Sequence, residues 1–185
     1  RPDITFRMYS LSDCKTIDIS FLKRMPHMQR LQIDCIDFRH NPDRIDFSLL
    51  HDLPLKALHI WCFNLRDYRF IQNLSEELEE LTVVAETLGG SVRFDCEWLV
   101  KFPKLHTLFL GKKARTNIES LRQLPQLKSL SLRGIKLTDF TFLKQMNLEK
   151  LALLWNSNND LHDLADLTGF REIELWRINL LDDIS

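Results

Sequence analysis

The chain has 185 residues, 44% of them apolar and 28% charged, the proportions of one folded domain or one repeat array rather than of a disordered chain. Its formal net charge is −1 and its pI about 6.7, which lacks the basic excess of proteins that neutralise many phosphates, so nucleic acid is not expected as a general partner. No apolar stretch approaches the roughly 20 residues that span a bilayer, the densest being Leu151–Trp155, so no membrane insertion is expected.

In chain order, the first predicted strand is Ile4-Thr-Phe6. Six segments with apolar residues at alternate places follow: Met28-Gln-Arg-Leu31-Gln-Ile33, Leu55-Lys-Ala-Leu58-His-Ile60, Leu78-Glu-Glu-Leu81-Thr-Val83, Leu105-His-Thr-Leu108-Phe-Leu110, Leu127-Lys-Ser-Leu130-Ser-Leu132 and Leu148-Glu-Lys-Leu151-Ala-Leu153. Phe170-Arg-Glu-Ile173-Glu-Leu175 closes the series. The central apolar residue falls at 4, 31, 58, 81, 108, 130, 151 and 173, in steps of 21 to 27 residues. Alternation of this kind sends every second side chain to one face of a strand.

A second column runs beside the first. Asp18, Asp46, Asp67, Asp95, Asn117, Asp139, Asp160 and Asp183 each precede an apolar residue. These read as capping groups that open a short helical turn by accepting hydrogen bonds from unpaired amides. A column of metal ligands is the sharper alternative, but the acids recur singly, without clustered donors. Pro26, Pro54, Pro103 and Pro125 stand just before strand segments, where proline stops a helix. Phe21, Phe47, Phe70, Trp98, Phe102, Phe140 and Phe142 fall in the helical units as core filling. A unit this small cannot bury its own apolar face, so the units must stack.

With both columns in hand, the sequence resembles the leucine-rich-repeat superfamily across the whole of 1–185, nearest its short 21–23-residue bacterial or phosphatase-regulator-like class. The resemblance implies an α/β solenoid of about eight repeats forming one domain, with a parallel sheet on the concave side and short helices on the convex side. It departs from the family at the asparagine that bonds backbone between turns. That column reads Tyr9, Ile36, Phe63, Glu86, Lys113, Ile135, Asn156 and Ile178, so only Asn156 conforms. The sequence opens on Arg1-Pro2-Asp3 and stops at Leu181–Ser185, which looks like the start of another unit. The expectation is a longer natural array, with self-association through an uncapped end as a consequence.

The side chains that alternate with the core residues should line the open sheet face. Read from the central residue, the triplets are Asp3-Thr5-Arg7, Arg30-Gln32-Asp34, Ala57-His59-Trp61, Glu80-Thr82-Val84, Thr107-Phe109-Gly111, Ser129-Ser131-Arg133, Lys150-Ala152-Leu154 and Glu172-Glu174-Trp176. Large aromatics beside arginines are the usual composition of interface anchors. The candidate partner-binding residues are therefore Arg30, Asp34, His59, Trp61, Phe109, Arg133, Leu154, Trp155, Glu174 and Trp176, with Arg177 at a strand end. Three longer loops, 9–16, 34–44 and 85–93, would extend this surface at one rim. Glu76, Glu77, Glu79 and Glu80 read as a solvated turn, a docking site for a basic partner being the alternative.

The search for chemistry finds little. The six histidines form no HExxH, and GxSxG, GxxxxGK[ST] and GxGxxG are absent. Cys35 and Cys62 occupy matching places in adjacent repeats, which admits a disulfide, a metal site with His59 or a thiol enzyme using His59 and Cys62; two small buried hydrophobes is the plainer reading. Cys14 and Cys96 complete a sparse set without CxxC, which points to a reducing, cytoplasmic compartment, a secreted or surface-exposed bacterial protein being the alternative. The expected function is a non-catalytic module for a protein ligand, without cofactor or metal. An inhibitor or immunity-type protein that blocks another enzyme is the alternative form, and a structural spacer a third.

Overall fold

The computed structural model describes residues 4–9, 15–137, 139–157 and 161–178. Asp3, Cys14, Asp160, Asp183 and the segment Leu181–Ser185, all singled out in the sequence, lie outside the described residues, as does most of the first long loop. The strands are β1 (Ile4–Tyr9), β2 (Met28–Asp37), β3 (Ala57–Phe63), β4 (Glu80–Glu86), β5 (Thr107–Lys112), β6 (Ser129–Arg133), β7 (Lys150–Leu154) and β8 (Glu172–Trp176). They form one eight-stranded sheet in sequence order, and every pairing is parallel.

The register follows the apolar columns. Leu31, Leu58, Leu81, Leu108, Leu130, Leu151 and Ile173 pair in one continuous row. Ile33, Ile60, Val83, Leu110, Leu132, Leu153 and Leu175 form the next. From β2 to β7 both rows are buried. Burying each such side chain contributes about 1.5–3 kcal/mol, so a one-residue slip of any strand from β2 to β7 would forfeit two of these contributions. The first repeat corrects the sequence reading. Phe6, not Ile4, pairs with Leu31, and the open-face triplet is Thr5-Arg7-Tyr9. Ile4-Thr-Phe6 and Phe6-Arg-Met8 alternate equally well, so spacing alone could not choose between them.

The sheet and its short helices have the expected α/β outline, but all seven described helices are 3₁₀, of three to six residues. A 3₁₀ turn rises about 2.0 Å per residue against 1.5 Å in an α-helix, so a short connection recovers more of the strand's length. The acidic column caps these turns. The carboxylates of Asp18, Asp46, Asp67, Asp95 and Asp139 each accept from the amide two residues on, at 2.8–3.0 Å. Asn117 departs from the pattern: it takes a left-handed φ of 53° and its amide donates to both Asp95 oxygens, at 2.9 and 3.0 Å. Asp95 therefore ties two repeats together, and Asp95→Ala is expected to cost about 1–2 kcal/mol, measurable by urea denaturation.

The aromatic residues of the helical side fill the core as expected, with Phe47, Phe102, Phe140 and Phe142 buried and Phe21, Phe70 and Trp98 packed partly buried against it. Asn156 is fully buried, and its side-chain oxygen accepts the buried Ile135 amide at 2.8 Å, a bond between successive turns. Asn64 makes a similar tie that the column analysis did not flag, accepting from the Leu88 amide and donating to Asp37. The loop after β2 is less open than expected. Phe38 and Ile45 are buried in the core, and the buried Arg44 donates to the Asp37 carbonyl.

Candidate binding face

One face of the sheet packs on the core, and the other presents three rows of side chains. At the strand starts the row is Arg30, Ala57, Glu80, Thr107, Ser129, Lys150 and Glu172. Here charges pair locally. Arg30 spans the small Ala57 to bind both Glu80 oxygens at 2.9 and 3.1 Å, and Lys150 meets Glu172 at 2.6 Å. Glu77 and Glu79 meet Lys104 and Lys56, so much of the acidic run is already matched by lysines.

The middle and strand-exit rows carry the aromatic residues. Asp34, Trp61, Val84, Gly111, Arg133, Leu154 and Trp176 pair side by side at the exits. Trp61 and Arg133 are separated by β4 and β5, yet the Arg133 guanidinium lies 4.9 Å from the Trp61 ring centre. This reach depends on what lies between. Gly111 has no side chain, and Val84 is buried yet stands outside the core cluster. The open-face parity of Val84 and its full burial together place it beneath a roof made by its long neighbours.

Arg133 also lies 5.4 Å from the Trp155 ring centre, and Arg177 lies 4.9 Å from the same ring. The result is an alternating ladder, Trp61–Arg133–Trp155–Arg177. Each cation–ring contact contributes about 0.5–1 kcal/mol where water reaches it, and more where it does not. Phe109 sets its ring edge-on to Trp61 at 6.4 Å, and His59 approaches Trp61 at 6.5 Å. His59 Nε2 lies 2.8 Å from an Asp34 oxygen, and Gln32 donates to the other Asp34 oxygen at 2.6 Å.

Glu86, at the end of β4, was not among the sequence candidates and holds the ladder in place. Its carboxylate pairs with Arg133 on one oxygen and with Lys112 at 3.1 Å on the other. Burial pushes the Glu86 carboxyl up, but the hydrogen bonds from Arg133 and Lys112 outweigh that and hold it below its ordinary value. A sequence signal existed in retrospect. Glu86 occupies the column that the family resemblance reserves for a structural asparagine.

The corners after the strands have a backbone peculiarity. Lys112 at the end of β5 and Gly134, Trp155 and Arg177 just after β6–β8 follow the same register row, and all have left-handed φ, of 50°, 64°, 59° and 50°. Glycine adopts this conformation without a Cβ clash. A residue with a large side chain pays on the order of 1 kcal/mol, and a bulky residue there is an outlier.

Of the ten predicted residues, Asp34, His59, Trp61, Phe109, Arg133 and Trp155 are thus brought together. Leu154 sits half-buried in the same row, between Arg133 and Trp176. Trp176 ends the row, 55% exposed, and its carbonyl accepts the Trp155 amide. Glu174 is exposed in the middle row. Arg30 turns to Glu80 at the other end of the sheet, away from the ladder.

The cysteine expectations are corrected. In β2 the register shifts between Asp34 and Asp37, so Cys35 and Ile36 together face Cys62. Ile36 takes the buried place, and Cys35, with a φ of 57°, is exposed. Cys35, Cys62 and Cys96 are free thiols. Cys62 is buried on the core side, away from His59, and burial pushes its thiol up to about 12. His59 and Cys62 therefore do not form a thiol–imidazole pair. Among the described residues no group of three His, Cys, Asp or Glu side chains is placed to hold a metal ion. Nor is any described helix long and apolar enough to cross a membrane.

No protein-family model matches the chain, and no curated protein matches it.

Proposed function

We propose that this chain is a non-catalytic leucine-rich-repeat module that binds a protein partner across the open face of its sheet. In this reading the sheet lines the concave side of a solenoid, and the 3₁₀ turns form the convex side. The observation that carries it is the assembly of Trp61, Phe109, Arg133 and Trp155 on the face that does not build the core. A core has no need of these residues, because the buried rows are complete without them. Aromatic and arginine side chains held rigid by one another lose little freedom on binding, which is what makes such residues dominate interfaces.

The test is affinity capture from the native source, followed by titration of the purified partner against variants. Trp61→Ala with Trp176→Ala is expected to weaken that partner by at least about tenfold, since anchors of this type each carry roughly 2 kcal/mol or more. Unchanged affinity, with the variant's melting temperature preserved, would sink the reading.

A further inference from the structure

The strand-exit corner of β5–β8 has a chemistry that the open face as a whole does not. At the strand starts, cations and carboxylates alternate in pairs. At the exits, the described segments 112–115, 133–137 and 176–178 carry Lys112, Lys113, Arg115, Arg133, Lys136 and Arg177 and no carboxylate of their own, and Glu86 at the end of β4 is shared by Lys112 and Arg133. Lys113 and Arg115 reach only backbone carbonyls in the described structure, those of Gly90 and Lys136. Among the described residues these exits therefore keep a cationic surplus, in a chain whose overall charge is −1.

The backbone points to the same place independently. Gly134 shows that the corner accepts glycine, the residue that fits a left-handed φ without strain. The same conformation occurs after Asp34 at Cys35, and at the β5, β7 and β8 corners the chain carries the large side chains of Lys112, Trp155 and Arg177 against their conformational preference. Backbone strain of this kind is found preferentially at functional sites.

We infer that this corner takes an acidic, extended peptide segment of the partner, its carboxylates meeting Lys112 and Arg177 and one apolar side chain resting against Trp155 and Trp176. Arg177 and Trp176 are exposed, and Trp155 is 46% exposed, so the surface is accessible. The Arg177 guanidinium stacks on the Trp155 ring, and a planar guanidinium so held can take a carboxylate in pairs of hydrogen bonds. A nucleic acid is the other polyanion to consider, and the chain's near-neutral charge disfavours it. The inference rests on the protein-binding reading above and specifies the partner's chemistry.

The experiment is selection of a random-peptide display library on the intact chain, with the recovered peptides then synthesised and titrated by fluorescence anisotropy. Recovered peptides should be rich in Asp and Glu, and their Asn and Gln analogues should bind at least about tenfold more weakly. Arg177→Gly and Lys112→Gly should each lower affinity severalfold with little net change in melting temperature, because the strain that glycine relieves offsets the lost Trp155 or Glu86 contact. Arg177→Glu should abolish binding while far-ultraviolet circular dichroism stays unchanged. Neutral or basic winners, or acidic winners indifferent to Arg177→Glu, would overturn the inference. If such winners still depend on Trp61, the open-face reading stands and only the acidic specificity falls; if they depend on neither, both fall. A thymidine oligonucleotide that displaces the acidic peptides at lower concentration would also overturn it.

Discussion

Replacing Glu86 with alanine is expected to destabilise the protein by about 2–3 kcal/mol, a large fraction of the 5–15 kcal/mol that holds a typical domain folded. The Glu86 and Arg133 side chains are only 15% and 17% exposed. Truncating one partner of a fully buried pair costs about 3–5 kcal/mol, because the other charge is left without compensation, whereas exposed pairs are worth about 0–1. This pair lies nearer the buried limit, and Arg133 would remain confined between two indoles with its countercharge gone. The pH dependence follows from the lowered Glu86 carboxyl. A depressed folded-state value contributes stability that is fully present above the ordinary carboxylate range and lost as pH falls through the folded value. Glu86→Gln should therefore flatten part of the acid limb of the stability profile. Urea titrations from neutral pH downward measure both effects, and a loss below about 0.5 kcal/mol for Glu86→Ala would show that the ladder holds Arg133 unaided.

Gly111→Val is the second large effect, expected at about 2–3 kcal/mol in the unfavourable direction. Valine usually suits a strand better than glycine does, so the sign is informative. A Cβ at position 111 would stand 2.9 Å from Val84 Cγ1 and 3.2 Å from Val84 Cα. The Val84 methyl could rotate, but its Cα belongs to the adjoining strand and cannot give way without disturbing the β4–β5 pairing. The added side chain would also occupy the space over which Arg133 reaches Trp61. Val84→Ala should recover part of the loss, and the non-additivity in a double-mutant cycle is the diagnostic quantity. A neutral or stabilising Gly111→Val would mean that no close approach exists there.

Much of this was legible before any coordinates. The row from Leu31 to Ile173 was found by spacing, because burial on one face imposes a period that neighbouring strands must share. The capping role of Asp46 or Asp139 was legible because a carboxylate ahead of an apolar turn has few other uses. The phase of the first repeat was not, since Ile4, Phe6 and Met8 offer equivalent choices. The equivalence of Cys35 with Cys62 failed because a bulge adds one residue to one strand without altering the apolar pattern around it. At the candidate site, parity identified Trp61, Phe109 and Arg133 as open-face residues. It could not show that Arg133 crosses two strands to reach Trp61, which is decided by the smallness of Gly111 and the position of Val84. Glu86 escaped notice because a column expected to be structural hid a charge.

Because each strand pairs only with its sequence neighbours, some 21 to 27 residues away, long-range closure is nearly absent from this architecture. Damage in such a quasi-one-dimensional object stays local, and opening proceeds inward from the ends. Ile173 and Leu175 of β8 are 44% and 45% exposed where their counterparts in β7 are buried, so β8 is held by less apolar burial than the strands before it. The Arg133–Trp155 contact, on β6 and just after β7, lies two strands and one strand inside β8, so amide exchange should slow steadily from β8 toward β4. A ligand clasping Trp61 and Trp176 together would bridge six successive strands and convert a chain of independent neighbours into one cooperative block.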